Sequence, residues 1–139
     1  MLNRDRYAPG VLVWLAVGVG GALGSLGRWL VGEAVTPGFE FAGAAAGTLL
    51  VNVVGCALIG FLAPVVSGRS PWLVGLVVTG FLGGFTTYSA FAEETFVFLE
   101  RGDGVGIALG GGYILITVIA TALAVSVGTR LSPGRQARS

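Results

Sequence analysis

The chain has 139 residues, 54% of them hydrophobic and 11% charged, so it is too apolar for an ordinary soluble domain and is predicted to be an integral membrane protein. A net charge of +1 offers no basic surface for nucleic acid, and a single cysteine excludes an internal disulfide. With no histidine, the chain has little material for acid–base catalysis or a transition-metal site, and we predict that it is not an enzyme.

Four charge-free runs follow one another along the chain, each at or beyond the roughly 20 residues that a helix needs to cross a bilayer. They are Tyr7–Gly27, Phe41–Gly68, Ser70–Ala92 and Gly104–Thr129. We therefore predict an all-α membrane protein whose single domain covers residues 1–139. Its four transmembrane helices are expected near residues 10–32, 41–66, 71–99 and 105–129.

The first predicted helix carries glycines at close-packing spacing and has an arginine near its end. Gly20 and Gly24 lie four residues apart, a spacing that lets helix backbones approach where lipid supplies no hydrophobic drive for association. Arg28 either faces an aqueous vestibule or snorkels to the membrane interface. Four short helices packed this tightly can hardly enclose a pathway, so we expect any pathway at an interface between protomers, in at least a dimer.

The second predicted helix presents polar groups on one face. Thr48, Asn52 and Gly55 fall at positions i, i+4 and i+7, which places a hydroxyl, a carboxamide and a gap side by side. Polar side chains inside a membrane are costly and usually face a bundle interior or an aqueous cavity. Asn52 is therefore either a pathway residue or one partner of a buried interhelical hydrogen bond.

The third predicted helix contains the dodecamer GFLGGFTTYSAF at Gly80–Phe91, which is rich in glycine and hydroxyl groups. Every backbone N–H and C=O in hydrocarbon must find a partner, so this segment is tolerable at membrane depth only where protein or water covers it. We predict a break at residues 83–86, near the middle of the helix, and a candidate ion site there. A simple kink or a close helix crossing is the alternative.

The fourth predicted helix carries a stripe of hydroxyl groups. Tyr113, Thr117 and Thr121 fall at positions i, i+4 and i+8. The stripe is compatible with a polar pathway, although a transmembrane threonine often bonds a carbonyl of its own helix.

The arginines are distributed unevenly between the two sides that four spans define. One side has six, and the other has Arg28 and Arg101. The six are Arg4, Arg6, Arg69, Arg130, Arg135 and Arg138. The positive-inside rule predicts a multi-pass protein of the plasma membrane with both termini in the cytoplasm.

Three motifs occur in order: GGALGSLGRW at Gly20–Trp29, GTLLVNVVG at Gly47–Gly55 and GFLGGFTTYSAFAEE at Gly80–Glu94. With them, the chain resembles the fluoride channels called Fluc or CrcB over nearly its whole length. The resemblance implies an antiparallel dimer with two narrow fluoride pores and one sodium ion buried at the interface. By the same resemblance, backbone carbonyls of Gly83 and Thr86 hold the sodium ion.

For the pore, the resemblance implies fluoride contacts from Asn52, Phe91, Tyr113 and Thr117, which are uncharged donors or the positive edge of a ring. The family pattern has two phenylalanines three residues apart, whereas this chain has Tyr88 at the first position. Its phenol could bind fluoride, hold it too tightly or narrow the path.

Two further positions of the resemblance lie away from the pore itself. Arg28 matches the family arginine near the pore mouth, and Glu94 matches a family acidic position. Both are expected near a vestibule, while Glu93 is a candidate for a solvated turn.

The predicted function is passive, fluoride-selective efflux from the cytoplasm, which reduces fluoride toxicity. The arginine bias indicates one fixed orientation, so an oppositely oriented paralogous subunit is preferred as partner over a second copy of this chain. A non-conducting structural subunit is one alternative. A small proton-coupled multidrug antiporter is the other alternative. Such an antiporter needs a membrane-embedded carboxylate in its first helix, and the first run of this chain, Tyr7–Gly27, contains none.

Overall fold

The computed structural model describes residues 10–35 and 40–136, with the side chains of 40–42 and 135–136 excepted. It is all-helical over these residues. The elements are α1 (Val11–Val35), α2 (Glu40–Val66), α3 (residues 71–85), α4 (Ser89–Glu100), α5 (Gly104–Leu131) and the single turn α6 (Pro133–Gln136). Four spans are long and apolar enough to cross a membrane, the third being Pro71–Glu100, which comprises α3 and α4. The prediction of four helices with a broken third is confirmed.

The break in the third span lies slightly later than predicted. Gly83–Phe85 still has helical geometry, and Thr86 is the first residue to leave it, with φ −77° and ψ 158°. Regular helix resumes at Ser89, where α4 begins. The predicted break at 83–86 therefore overlaps the observed one only at Thr86. Glycine can adopt helical dihedral angles, so the glycine pair does not itself end the helix. The break lies where side chains of other helices bind the backbone.

The segment before the break has wider turns than an α-helix. Residues Gly75–Leu82 form a π-helix, and the Gly83 N–H that follows still donates to the Val78 carbonyl five residues back. Such segments are rare and are found frequently at functional sites. The sequence analysis did not predict this segment.

Glycines bring α1 and α3 into backbone contact. A Cβ added to Gly20 or Gly24 would overlap backbone atoms of α3. A Cβ at Gly84 would lie 3.0 Å from the Gly21 Cα atom, and one at Gly80 would lie 3.0 Å from the Gly20 Cα atom. These contacts follow the small-residue spacing in both helices. They hold the break of the third span directly against α1.

A second glycine contact joins α2 to α5. A Cβ at Gly128 would overlap the Ala57 carbonyl, and a Cβ at Gly60 would overlap the Val125 carbonyl. Beyond the end of α5, the buried Ser132 hydroxyl donates to the Phe61 carbonyl at 2.8 Å, which fixes the C-terminal end of the bundle on α2.

The described part of the bundle buries polar side chains beside apolar ones and exposes many large apolar side chains. Its buried polar or charged side chains are Thr48, Asn52, Glu94, Thr95, Thr117 and Ser132, and its buried hydrophobic ones are Ala16, Ala45, Val51, Val66 and Leu82. Large apolar side chains such as Trp14, Leu23 and Ile116 are exposed. This distribution suits a protein whose surroundings are hydrocarbon and whose buried polar groups need partners from one another.

Candidate ion pathway

The break in the third span frees backbone carbonyls of residues 83–87, because the N–H groups four residues ahead no longer point back along the helix. The Thr87 N–H donates to Asn52 Oδ1 at 2.8 Å, and the Ala90 N–H donates to Thr87 Oγ1 at 3.3 Å. The first regular bond of α4 runs from the Ala92 N–H to the Tyr88 carbonyl at 2.9 Å. Each freed carbonyl must therefore be satisfied from outside the helix.

Asn52 on α2 binds the break at two points. Its Nδ2 donates to the Thr87 carbonyl at 2.8 Å, while its Oδ1 accepts from the Thr87 N–H at 2.8 Å. This reciprocal pairing fixes which end of the carboxamide is nitrogen. The side chain is only 7% exposed, and one Nδ2 hydrogen remains available for another acceptor. Asn52 therefore has a structural role in the break. The sequence analysis gave such a role, a buried interhelical hydrogen bond, as the alternative to a place in the ion pathway.

Two side chains of α1 bind a second carbonyl of the break. Arg28 Nε donates to the Gly84 carbonyl at 3.2 Å, and the Ser25 hydroxyl lies 3.5 Å from the same oxygen. Within the described residues, no donor replaces those lost by the carbonyls of Gly83, Phe85 and Thr86. The helices around the break thus satisfy two carbonyls and leave three. Gly83 and Thr86, the two that were predicted to bind a cation, are among the three.

A cavity of about 290 Å³ lies beside the break, and we call it the Asn52 cavity. Four of the predicted pore residues, Asn52, Tyr88, Phe91 and Thr117, line it. Its other lining residues are Cys56, Thr86, Thr87, Val118 and Thr121. The structure therefore brings together side chains from α2, α4, α5 and the break before α4, which the sequence separates by up to 69 positions.

Thr117 is the most informative residue of the Asn52 cavity. Its side chain is 6% exposed, and its Oγ1 atom has no hydrogen-bond partner among the described residues. Thr121, one turn further along α5, bonds the Thr117 carbonyl of its own helix at 2.7 Å, which is the behaviour expected of a membrane threonine. A buried hydroxyl without a partner is costly, and it indicates a place where a ligand or water accepts or donates a bond.

The remaining predicted pore residue, Tyr113, lies outside the lining of the Asn52 cavity. Its hydroxyl donates to Glu94 Oε2 at 2.5 Å, with the Ala45 carbonyl 3.3 Å away. The Thr48 hydroxyl donates to the other carboxylate oxygen of Glu94 at 2.7 Å. Glu94 is 6% exposed, so two hydroxyls take the place of water around a buried carboxyl group. The role of Tyr113 as a direct fluoride contact stays a prediction.

A second cavity, of about 270 Å³, adjoins the first and is called here the Arg28 cavity. It is lined by Arg28, Glu33, Thr48 and Glu94, together with small and apolar residues of α1 and α2 and with Thr87 and Ala90 of the third span. The structure thus places the two predicted vestibule residues, Arg28 and Glu94, on one cavity. Thr87 lines both cavities, so the pair formed by Asn52 and Thr87 stands in the wall between them.

Aromatic rings extend from the break into the bundle. Tyr88 and Phe91 have ring centroids 5.9 Å apart, Phe91 and Tyr113 are 5.4 Å apart, and Phe98 contacts Tyr113 edge-on at 5.8 Å. Tyr88 is 79% exposed at the outer end of this row. Among the pathway candidates, Tyr88 is therefore the one placed to face another molecule.

The sequence analysis missed Ser25 and Thr87, and it considered the single cysteine, Cys56, only for disulfide formation. Cys56 lies four residues after Asn52 and so on the same helix face, which was a usable signal. Thr87 acts through its backbone groups as well as its hydroxyl, and no side-chain pattern reveals which backbone groups a distant helix will bind.

A family model described as CrcB-like protein, camphor resistance (CrcB), matches residues 15–129, which is most of the chain and includes every candidate residue of both cavities. The chain belongs to the CrcB-like family. This confirms the resemblance that the three motifs indicated.

Relatives of this CrcB-like chain carry the name fluoride-specific ion channel FluC. One from Paracoccus denitrificans is 41% identical over 125 residues, covering 87% of this chain and 94% of the relative. One from Rhizobium leguminosarum bv. trifolii is 44% identical over 121 residues, covering 82% and 90%. Ion channels are not enzymes, in agreement with the class predicted from composition.

Proposed function

We propose that this chain is a subunit of a fluoride channel through which fluoride leaves the cell passively. The observation that carries the proposal is the unpartnered Thr117 hydroxyl, buried in a cavity that it shares with Asn52 and Phe91. The names of the relatives support fluoride as the permeating ion.

The chemistry of the Asn52 cavity suits a small, strongly hydrated anion. Such an ion must exchange water for donors that replace it without binding so firmly that it cannot leave. The Thr117 hydroxyl and the free Nδ2 hydrogen of Asn52 are donors without full charge, and the edge of the Phe91 ring carries partial positive charge. No Asp, Glu or Arg is among the residues that line this cavity in the described part of the chain.

The unpartnered carbonyls of the break fit a sodium ion. Sodium is a hard cation that takes oxygen ligands, and Gly83 and Thr86 offer carbonyl oxygens from which the helical donors have been withdrawn. Two carbonyls make only part of a coordination shell, so a partner subunit would supply the rest. When bound, the ion would neutralise the carbonyl dipoles at the break and so join the subunits.

We propose an antiparallel dimer as the assembled form. Tyr88 and its neighbour Ser89 are exposed at the break of a membrane span, where lipid cannot satisfy the backbone. A partner that covers this face would remove the problem. The uneven arginine distribution favours an oppositely oriented paralogous subunit over a second copy, and it favours cytoplasmic termini in the plasma membrane.

Efflux in this proposal needs no energy-coupled step. A membrane potential that is negative inside drives an anion outward by about 2.3 kcal/mol per charge per 100 mV. Fluoride that enters as the neutral acid and dissociates in the cytoplasm would leave through the open path, which lowers its toxicity.

A second candidate, a non-conducting subunit that completes the channel structurally, is favoured by Tyr88. A phenol stands at a position where the family pattern has a ring without a hydroxyl, and it is exposed beside the Asn52 cavity. In this case the chain would contribute to the sodium site and the dimer contact while its partner carries the ion.

Fluoride efflux from proteoliposomes separates these candidates. Vesicles containing this chain alone are loaded with fluoride or chloride, and release is read with ion-selective electrodes. Fluoride-selective release shows a self-sufficient channel. Release only after co-reconstitution with an oppositely oriented relative supports the two-subunit form, and equal release of both anions refutes fluoride selectivity.

A further inference from the structure

Cys56 is a wall residue of the Asn52 cavity for which the proposed mechanism has no use. It lies one helical turn beyond Asn52 on α2, and it shares the cavity with Thr117 and Thr121 of α5. The side chain is partly exposed rather than sealed in the core. It is also the single cysteine of the chain.

A second observation points to this cavity as a place where a ligand binds. Thr117 is among the residues that line it, and the Thr117 Oγ1 atom is buried and has no hydrogen-bond partner among the described residues. A polar atom left in this state needs an ion or water on the cavity side. The thiol of Cys56 therefore borders the space that this ligand occupies.

We propose that Cys56 lines the ion path and is a site at which small, soft thiol-reactive electrophiles close it. This inference rests on the proposed channel function. With methyl methanethiosulfonate, the Cys56 thiolate attacks the sulfenyl sulfur of the reagent. A new S–S bond to an S–CH₃ group forms, the bond between sulfur and the sulfonyl group breaks, methanesulfinate leaves, and the thiol proton passes to water.

The expected fall in fluoride release follows from the size of the adduct. The adduct adds a methylthio group to a cavity of about 290 Å³ that must admit an ion together with its donors. It also covers the donors of Thr117 and Asn52 with an apolar group, and an apolar constriction opposes passage of an ion. We expect fluoride release to fall about tenfold, the factor that a barrier increase of about 1.4 kcal/mol produces.

The experiment uses the full chain in proteoliposomes, treated with methyl methanethiosulfonate. Intact-mass spectrometry measures the adduct, and the fluoride electrode measures release. Two variants serve as controls, Cys56→Ser and the double variant Cys56→Ser with Ser70→Cys. Ser70 is exposed between the second and third spans and lies outside the lining of both cavities, so a thiol there should react without closing the path. Each variant is compared with its own untreated release.

Support requires an adduct on the unsubstituted chain that closes the path, no change in Cys56→Ser, and an adduct without closure at Ser70→Cys. A complete adduct at Cys56 with unchanged release overturns the inference, as does failure of Cys56 to react under conditions that modify Ser70→Cys.

The rate at which the adduct forms tests, independently of fluoride release, whether Cys56 borders the ion. If Cys56 borders the ion, the reaction is slower in fluoride than in chloride at equal concentration. Equal rates overturn the inference. Absence of release from the untreated chain would count against a self-sufficient channel, while the two reaction rates would still test the position of Cys56.

Discussion

Replacing Asn52 by leucine tests whether the carboxamide holds the break of the third span. Leucine keeps a similar volume but removes the donor and the acceptor that meet the Thr87 backbone at 2.8 Å each. An interhelical hydrogen bond in a membrane protein contributes about 0.6–2 kcal/mol. Orphaned groups with no alternative partner cost about 1–3 kcal/mol each.

The larger range applies here because the Thr87 N–H and carbonyl lie in a backbone break and cannot rejoin a helical ladder. We therefore expect the free energy of unfolding to fall by about 2–6 kcal/mol and fluoride release to be lost with it. Unfolding in mixed detergent micelles, followed by circular dichroism, measures the first quantity. The fluoride electrode measures the second.

Ser126→Ala is the matched control for this substitution. The Ser126 hydroxyl donates at 2.8 Å to the Ala122 carbonyl of its own helix, so its loss leaves no backbone group of another element unpaired. Its effect on stability should stay within about 0.5 kcal/mol. If Asn52→Leu lost fluoride release but unfolded like the unsubstituted chain, Asn52 would act on the ion alone and the reasoning about the break would be wrong.

Three further predictions test other parts of the structure. Gly24→Ala places a methyl group against the Phe81 carbonyl and should destabilise the bundle by about 1–3 kcal/mol. Gly18→Ala on the same helix is the control, because a Cβ there meets nothing within 4 Å and should cause no such loss. Thermal unfolding of the two variants measures the difference. Tyr88→Phe should raise fluoride release if the phenol impedes the ion, and unchanged release removes the main reason for a non-conducting subunit. The pKa of Asp103 lies below its ordinary value, chiefly because its carboxylate accepts the backbone N–H three residues ahead, with Arg101 a further cause. A lowered folded-state pKa stabilises at pH above the unfolded value of about 3.9 and loses that contribution as the pH falls through the folded value. Asp103→Asn should therefore flatten the acid side of the stability profile, and a profile that matches the unsubstituted chain would contradict this cause.

Much of the architecture could be predicted from the sequence because its causes are local. The length of each charge-free run sets the number of spans, since a helix must cross a fixed thickness of hydrocarbon. The dodecamer at Gly80–Phe91 indicated a break, because a segment rich in glycine and hydroxyl residues at membrane depth must be covered by protein or water. The i, i+4 and i+8 spacing on α5 correctly placed three hydroxyls on one helix face.

What each hydroxyl does was decided only by the tertiary structure. Tyr113 turns to Glu94, Thr121 bonds its own helix, and Thr117 alone is left unpartnered in the cavity. The three share one stripe in the sequence, so spacing could not separate them. The difference depends on which helix lies opposite each turn.

The position of the break was decided in the same way. Asn52 of α2 and Arg28 of α1 bind the Thr87 and Gly84 carbonyls, and the glycines of α1 bring the backbones close enough for this. A glycine pair lowers the cost of breaking a helix, but it does not select the carbonyls that remain free. That selection requires side chains from helices that are up to 59 residues away in the sequence, because a backbone group at membrane depth takes whatever donor the packed bundle places beside it.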